Sequence, residues 1–551
     1  MILARCMSWL VLLSLISATF AYDVTVRWNE VHQKMSGFGA GTGCPDCGGG
    51  NANQYGNSAM TLYNMPEPKR SEVLDLLFDT TKGIGLNCFR MGESWLLENS
   101  AGTWTWSPST YEQGEIWVAK EAKKRNATIK FWSAPWTPPL WMKTQQAMGG
   151  GELQTQYYQR YADYKSHFVR DMRDKEGITM MANSVQNEPQ FGVASYGGCG
   201  YTGEQIRTFV RDYLGPAFKR DGLDKTTTIM IAESNYGETQ FVTPTLNDPA
   251  ALAYVGILGW HQYNDGTTPT TVAGTESWAT ETAHGPWGGA TTDLSWGEAL
   301  WRHSQLFDAV VNKNASSWSY YKFVSGGVSG LLYVYNNDYA TSKGFWWIAH
   351  YSKFVRPGWM RIGTSATIIG GGAKIAAFKD PASGRFVIIV GNEGTSKPGP
   401  SITVTCDGFT PRKVSAYLTP GEDQNVNMQG PTDVPIANGK FSYTVPNVSI
   451  ATLVGETQAV GADRAIAAQT TARMTAARVP SGLRVIMDRP AAGLAELLDS
   501  RGRIVAQWTI DAAREQTLRL SHPLGSGVHF IRIISDTPGL RAPAWCFRVP
   551  Q

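Results

Sequence analysis

Residues 155–189 read TQYYQRYADYKSHFVRDMRDKEGITMMANSVQNEP, a helix-like segment (155–175) followed by a short apolar strand (180–186). The strand runs into Asn187, Glu188 and Pro189. Because proline lacks the backbone N–H that a strand needs, the strand is expected to stop here and to leave the glutamate at its tip. A carboxylate at the end of a buried strand has two interpretations, a catalytic group or a polar cap.

The same alternation continues on both sides of this stretch. Helix-like segments lie at 69–82, 111–125, 155–175 and 202–220, and strand-like segments at 86–91, 128–132, 180–186, 228–233, 254–261, 276–281, 318–323 and 331–335. Alternating strands and helices over roughly 300 residues are typical of a parallel α/β fold, and the repeat count favours a (β/α)₈ TIM barrel over an open sheet. We expect the glycine-rich residues 37–41 to form a tight loop at the barrel mouth.

The pattern changes along the chain and predicts five regions. Residues 1–21 combine Arg5, an apolar run and small residues before a cleavage site, which is typical of a signal peptide. Residues 22–363 form the catalytic barrel, in which 22–36 pair with the side domain. Short alternating strands predict a side β-sandwich at 364–455. Residues 456–475 are a linker, and 476–551 form a small C-terminal all-β module.

Composition narrows the class of partner. The formal net charge of +3 gives no reason to expect nucleic acid or an anionic membrane surface. Beyond the short apolar run of the signal peptide, no stretch reaches the length of a membrane span. The chain has 20 Trp and 22 Tyr, and aromatic rings suit the apolar faces of sugars. We expect a monomeric protein that is secreted or held at the cell surface.

The cysteines suggest disulfide chemistry rather than a metal site. Cys44 and Cys47 form a CxxC pair, but the sequence has neither a second CxxC nor a His pair to complete a zinc site. A loop disulfide is the simpler hypothesis; Cys199 is one candidate partner, and the sequence does not fix the pairing. We therefore expect no metal and no organic cofactor.

A second carboxylate follows about three strands after Glu188. Residues 276–281 read ESWATE, a short strand that ends in Glu281. Three strands along an eight-stranded barrel place the two glutamates across the mouth from each other. Glycoside hydrolysis needs two facing carboxylates, one that donates a proton and one that acts as nucleophile or base. The pair is therefore a candidate catalytic pair.

The order and spacing of five stretches resemble glycoside hydrolase family 30. These stretches are Gly37-Phe-Gly, Phe131-Trp-Ser-Ala-Pro-Trp136 with Trp141-Met-Lys-Thr, Gln186-Asn-Glu-Pro189, Trp278-Ala-Thr-Glu281 and Phe354-Val-Arg-Pro-Gly358. The resemblance implies a retaining enzyme with a (β/α)₈ barrel and a side β-domain. It implies that Glu188 is the acid/base, that Glu281 is the nucleophile, and that Asn187 binds the sugar 2-OH. A retaining pair is expected at a separation of roughly 5 to 5.5 Å.

Further substrate-binding candidates lie at the predicted strand tips and on nearby loops. Each has a structural alternative, such as a buried ion pair for a charged side chain or core packing for a tryptophan. The candidates are Arg90, Trp132, Trp136, Trp141, Glu233, His261, Tyr263 and Trp287. Arg90 is expected to hold Glu281 ionised through a charge-assisted hydrogen bond.

The resemblance favours the xylan-cleaving members of the family. Bacterial members specific for glucuronoxylan carry an Arg just after the seventh strand, where this chain has Lys322 instead. An ammonium cannot make the planar two-pronged contact with a carboxylate that a guanidinium makes. The sequence therefore predicts cleavage of β-1,4-xylan without strict dependence on glucuronate, acting as an endo-xylanase or releasing short products. The alternatives are a β-1,6-galactanase or β-1,6-glucanase and, more remotely, a non-catalytic carbohydrate-binding barrel. The tail resembles bacterial C-terminal sorting domains, which would make the secretion machinery a partner; the alternative is an accessory module that binds carbohydrate.

Overall fold

The computed structural model describes nine stretches of the first 457 residues and five strands of the tail. The stretches are 21–43, 58–192, 196–235, 237–263, 270–284, 296–327, 329–394, 399–423 and 425–457. The chain divides into two compact units, residues 1–457 and 458–551. Residues 1–20 of the predicted signal peptide lie outside the described residues, and only its last residue, Ala21, is described.

Eight parallel strands close into a barrel, which confirms the predicted (β/α)₈ TIM barrel. Following strand β1 (Ala21–Lys34), the barrel strands are β2 (Gly37–Gly41), β3 (Cys88–Gly92), β4 (Lys130–Ala134), β5 (Met180–Ser184), β6 (Thr228–Ser234), β7 (Val255–His261), β8 (Glu276–Glu281) and β9 (Ser317–Tyr320). Neighbouring barrel strands pair in sequence order, and β9 pairs with β2 to close the barrel.

Helices cover the outside of the barrel. They are α1 (Ser58–Asn64), α2 (Lys69–Phe78), α3 (Thr110–Arg125), α4 (Tyr158–Asp174), α5 (Gly203–Phe209), α6 (Gly215–Arg220), α7 (Thr243–Leu246), α8 (Pro249–Leu252), α9 (Trp296–Phe307) and α10 (Lys343–Ser352). Helices α5 and α9 continue into π-helical turns, Val210–Leu214 and Asp308–Asn312. Short 3₁₀ turns lie at Leu140–Met142, Thr155–Tyr157, Leu223–Lys225, Thr239–Phe241 and Gly370–Gly372.

Helix α3 shows how local sequence starts these helices. The Ser109 side chain accepts a hydrogen bond from the Glu112 backbone, and the Glu112 side chain accepts one from the Ser109 backbone. This reciprocal pair satisfies two N–H groups that a helix start leaves open. The last turn carries Lys123, Lys124 and Arg125, whose charges stabilise the negative end of the helix dipole.

Two strand assignments from the sequence were wrong. Residues 37–41, expected as a loop, are the first barrel strand β2, whose Phe38 and Ala40 join the main core. The intervening glycines leave room inside the barrel, since a Cβ at Gly41 would lie 2.9 Å from the Tyr321 carbonyl oxygen and 3.5 Å from Arg90. Glycine is disfavoured in strands, so the pattern indicated a loop.

The second wrong assignment concerns residues 331–335. These form β11 (Gly330–Tyr335), which lies outside the barrel in a three-stranded sheet with β10 (Lys322–Ser325) and β12 (Asp338–Ala340). An apolar strand pattern reports burial but does not tell which sheet the strand joins. The residues do form a strand, and only their partners differ from the prediction.

The side domain is one sheet of eleven strands, and it confirms the predicted side β-domain. One of the eleven is β1. The other ten are β13 (Met360–Thr364), β14 (Ile368–Ile369), β15 (Ala373–Lys379), β16 (Arg385–Asn392), β17 (Ser401–Asp407), β18 (Pro411–Pro420), β19 (Gln429–Asp433), β20 (Ile436–Ala437), β21 (Lys440–Thr444) and β22 (Ser449–Thr457). Strand β1 joins this sheet, antiparallel to β13 and parallel to β17. Val24 and Val26 of β1 pack with Phe386 and Leu453 in a separate apolar core.

The second unit contains five strands in one antiparallel sheet. They are β23 (Met474–Val479), β24 (Gly482–Asp499), β25 (Ile504–Arg519), β26 (Gly527–Ser535) and β27 (Trp545–Val549). The sorting role inferred from the sequence stays a prediction.

Among the helices that the structure describes, none is long and apolar enough to cross a bilayer.

Candidate active site

Glu188 and Glu281 meet at the carboxyl-terminal mouth of the barrel. Glu281 is the last residue of β8, and Glu188 lies four residues beyond the last residue of β5, Ser184. Both side chains are buried, with exposures of 6% and 5%. One oxygen of each carboxylate lies within 4.8 Å of the other and of a His261 ring nitrogen. This separation is close to that of retaining glycosidases.

The backbone at the site is strained. Glu188, Ala232 and Glu233 all have positive φ angles, of 47°, 75° and 46°. The Glu188 N–H donates a hydrogen bond of 3.1 Å to the Glu233 carbonyl, which ties the two strained turns together. A positive φ is costly for residues with a side chain and persists where the surrounding structure requires it, often at functional sites.

Strong donors surround the Glu281 carboxylate. The Arg90 guanidinium donates to one oxygen, and the Tyr263 hydroxyl donates to the other at 2.7 Å. Burial alone would raise the pKa of Glu281, but the positive charges of His261 and Arg90 and these hydrogen bonds lower it below its ordinary value. Glu281 is therefore held as a carboxylate, as a nucleophile requires.

Different groups surround the Glu188 carboxylate. The Tyr196 hydroxyl donates to one oxygen, and Asn235 Nδ2 donates to the other at 2.6 Å. His261 Nδ1 lies 3.0 Å from the oxygen that Asn235 contacts. The sequence analysis identified neither Tyr196 nor Asn235, because both lie on loops where no periodic pattern marks them.

His261 lies between three carboxylates. Its Nδ1 is 3.0 Å from Glu188 and 3.8 Å from Glu281, and its Nε2 is 3.7 Å from Glu233. Burial alone would lower the pKa of His261, but the charge of Glu281, the hydrogen bond to Glu188 and the nearby Glu233 carboxylate raise it to about 9. The ring is therefore an imidazolium near neutral pH.

Arg90 links the remaining polar residues of the site. It donates to Asn187 Oδ1 and, at 3.0 Å, to Glu233 Oε1. Because its oxygen is engaged, Asn187 presents its amide N–H groups to other partners. Arg90 and His261 thus lie among three carboxyl groups, those of Glu188, Glu233 and Glu281. All five side chains are at least nine-tenths buried, so the pairing of their charges matters energetically.

The tryptophans occupy different places. Trp136 is buried with its ring 4.7 Å from the Arg90 guanidinium. Trp141 is half-buried; its Nε1 donates to the Glu98 carbonyl, and the Arg160 guanidinium lies 4.2 Å from its ring. Trp287 lies outside the described residues.

Trp132 departs from its predicted place. It is fully buried inside the barrel, in edge contact with Trp278 at a centroid distance of 6.0 Å. With no exposed surface, it cannot stack on a sugar. Its side chain packs with Met230 and Ile257, and the Arg90 guanidinium lies 5.2 Å from its ring.

A buried lysine holds the loop that carries Tyr196. Lys143 Nζ donates to the carbonyls of Ala147, Met148 and Gly198 at 2.7, 3.1 and 2.8 Å. It therefore fastens the loop after β4 to the loop after β5. Cys199, in the same loop, is a buried free thiol, so it is not a partner in a loop disulfide. Cys44 and Cys47 lie outside the described residues.

Lys322 also lies near the site. It is buried, with Nζ 4.9 Å from the centre of the Tyr321 ring. Burial lowers the pKa of Lys322 to about 8, against an opposing effect of the Glu281 charge. Lys322 is thus a buried group rather than an exposed one.

The barrel resembles known proteins in both sequence and fold. Residues 109–284 match the model of the glycosyl hydrolase family 30 TIM-barrel domain. The chain is 29% identical over 316 residues to putative glucosylceramidase 1 of Caenorhabditis elegans, a match that covers 51% of this chain and 59% of that protein. It is 28% identical over 353 residues to glucuronoxylanase XynC of Bacillus subtilis strain 168, covering 62% of this chain and 76% of that one. The catalytic domain of GH30 xylanase C from Talaromyces cellulolyticus shares the fold, with a TM-score of 0.67 and 24% identity over 79% of this chain and all of that domain.

Proposed function

We propose that this chain, which carries a glycoside hydrolase family 30 barrel domain, hydrolyses β-glycosidic bonds with retention of anomeric configuration. The observation that carries the proposal is the Glu188–Glu281 pair. One oxygen of each carboxylate lies within 4.8 Å of the other, which is nearer to the roughly 5 to 5.5 Å of retaining pairs than to the roughly 6.5 to 9.5 Å of inverting pairs.

The surroundings of the two carboxylates support their roles in the first step. Glu281, kept ionised by Arg90 and Tyr263, attacks the anomeric carbon, while Glu188 donates its proton to the departing oxygen. A covalent glycosyl–Glu281 ester forms as the glycosidic bond breaks. The amide of Asn187 donates to the sugar 2-OH, a contact that strengthens in the transition state.

The second step returns the enzyme to its starting state. Glu188, now ionised, takes a proton from water, and the water oxygen attacks the anomeric carbon. The bond to Glu281 breaks and the carboxylate is released. The positive charges of Arg90 and His261 stabilise the site while Glu188 is negative, since both lie within or next to the carboxylate cluster.

We propose β-1,4-xylan as the substrate class. The motifs that resemble xylan-cleaving members support this, together with a relative whose name is glucuronoxylanase. The name of a relative with similar identity, putative glucosylceramidase, makes a lipid-linked or oligomeric β-glucoside the second candidate. The buried position of Lys322 supports a preference for xylan that does not depend on a glucuronate branch. We also propose secretion, from the signal-like residues 1–21.

Product analysis tests this proposal. The purified chain is incubated with linear xylan, glucuronoxylan, arabinoxylan, β-1,6-glucan, β-1,6-galactan and glucosylceramide, and products are followed by chromatography and by proton NMR of the new anomeric centre. We expect xylan cleavage with initial release of the β-anomer. Release of the α-anomer would refute retention, and cleavage of another polymer alone would refute the substrate class.

A matched pair of variants tests the assignment of the nucleophile. Glu281→Gln should lose activity by several orders of magnitude, because the amide cannot form the glycosyl ester. Glu276→Gln changes a glutamate at the opposite end of the same strand and should keep activity where it folds. Equal losses in the two folded variants would contradict the assignment.

A further inference from the structure

A groove of about 410 Å³ lies against helix α3, on the outer wall of the barrel. Aromatic and polar side chains line it, chiefly Tyr63, Trp106, Gln113, Trp117, Lys120 and Glu176. None of these residues belongs to the carboxylate cluster. A volume of this size is in the range of small-ligand sites.

The aromatic rings of the groove are partly open and held in place. Tyr63 is 38% exposed, and its ring contacts Trp117 edge-on at a centroid distance of 5.5 Å. The Arg70 guanidinium lies 4.7 Å from the Trp117 ring. Trp106 is fixed by its Nε1, which donates to Glu176 at 2.8 Å. Rings that are already ordered lose little conformational entropy when a ligand stacks on them.

The polar groups of the groove favour an uncharged ligand. Lys120 pairs with Glu176 at 2.8 Å, so the two charges cancel within the groove. Gln113 is exposed, and its Nε2 donates to the Pro108 carbonyl at 2.9 Å, which leaves its amide oxygen to accept from a ligand. The groove thus combines flat apolar surfaces with neutral hydrogen-bonding groups. Sugar rings present this same combination, an apolar face edged by hydroxyls.

We propose that this groove is a second carbohydrate site, which binds a segment of the neutral β-linked polysaccharide that the barrel cleaves. The identity of the polymer rests on the proposed function, whereas the groove itself does not. A site that holds the polymer on the barrel wall raises the local concentration of glycosidic bonds near the cleft. Its contribution should therefore be larger for long polymers than for short oligosaccharides.

Binding is measured with the full chain carrying Glu281→Gln, so that the polymer survives. Affinity electrophoresis in gels that contain soluble xylan, or β-1,6-glucan, reports retention by the polymer. Tyr63→Ala and Trp117→Ala should each weaken retention roughly 3- to 10-fold, the loss expected for one aromatic contact. Tyr111→Ala is the matched control, since Tyr111 is an exposed tyrosine of the same helix, 42% exposed, that does not line the groove.

A second measurement uses the active chain. Tyr63→Ala should hydrolyse a short xylo-oligosaccharide as fast as the parent but soluble xylan several-fold more slowly. If Trp117→Ala does not fold, Tyr63→Ala decides, because more of its side chain is exposed. If folded groove variants are retained by the polymer in the gel as strongly as the chain without the groove substitution, the site is refuted. The site is also refuted if the active chain cleaves a polymer but the Glu281→Gln chain is not retained by that polymer. Groove-dependent retention without hydrolysis of any polymer would support the groove and refute the proposed activity.

Discussion

His261 should make the stability of the protein depend on pH between about 6 and 9.5. Its pKa rises from 6.5 to about 9 in the folded chain, because the charge of Glu281, the hydrogen bond to Glu188 and the nearby Glu233 carboxylate outweigh the effect of burial. A raised pKa means that the folded state binds the proton more tightly than the unfolded state does. The stabilisation is complete below pH 6.5 and is lost as the pH rises through about 9. At about 1.4 kcal/mol per tenfold change in proton affinity, it amounts to about 3 kcal/mol.

Urea unfolding at a series of pH values, followed by fluorescence, measures this contribution. The free energy of unfolding of the parent should fall between pH 6 and pH 9.5 by about 3 kcal/mol more than that of His261→Gln. His303 is the matched control, because burial lowers the pKa of His303, so His303→Gln should keep the parent's slope over this range. An equal fall in the parent and in His261→Gln would show that folding does not raise the pKa of His261, which would refute the reasoning.

Three further substitutions test individual contacts. Arg90→Lys removes the planar donor from Glu281 and should lower kcat/KM by roughly 100-fold or more, measured on soluble xylan with the melting temperature as a check on folding. Tyr196→Phe removes the hydroxyl from Glu188 and should lower kcat roughly 10-fold with little change in KM; an unaltered kcat would contradict its proposed role. Lys143→Met leaves three carbonyls unpaired and should lower the free energy of unfolding by at least about 2 kcal/mol, measured in urea; a stability equal to the parent's would contradict the clamp.

Much of the barrel could be predicted because its strands are apolar and separated by helices. The predicted strand at 276–281 coincides with β8, and those at 228–233 and 254–261 differ from β6 and β7 by one residue. The prediction failed at Gly37–Gly41, where the strand is built from glycines. The glycines are needed there because a side chain would collide with neighbouring groups inside the barrel, next to Arg90. The intrinsic strand preference of each amino acid does not include this tertiary constraint.

The site was predictable to the extent that its residues lie at strand ends. Glu281 and His261 end their strands, and the parallel barrel brings such ends together. Tyr196 and Asn235 lie on loops, whose path depends on contacts such as those of Lys143. Trp132 shows the opposite error, since a tryptophan beside a strand end can point into the barrel as readily as towards the cleft.

The two glutamates are the same amino acid at the same end of the barrel, so their different roles depend on their neighbours. Arg90 can only donate hydrogen bonds, and it contacts Glu281, the group that must remain ionised until it attacks. Each glutamate also accepts a hydrogen bond from a tyrosine hydroxyl, Tyr263 for Glu281 and Tyr196 for Glu188, so the hydroxyls do not distinguish the two. The amide that donates to Glu188, Asn235 Nδ2, is neutral, whereas the group that donates to Glu281 is the guanidinium of Arg90. This direct contact with a permanent positive charge favours Glu281 as the carboxylate that stays ionised, and therefore as the nucleophile.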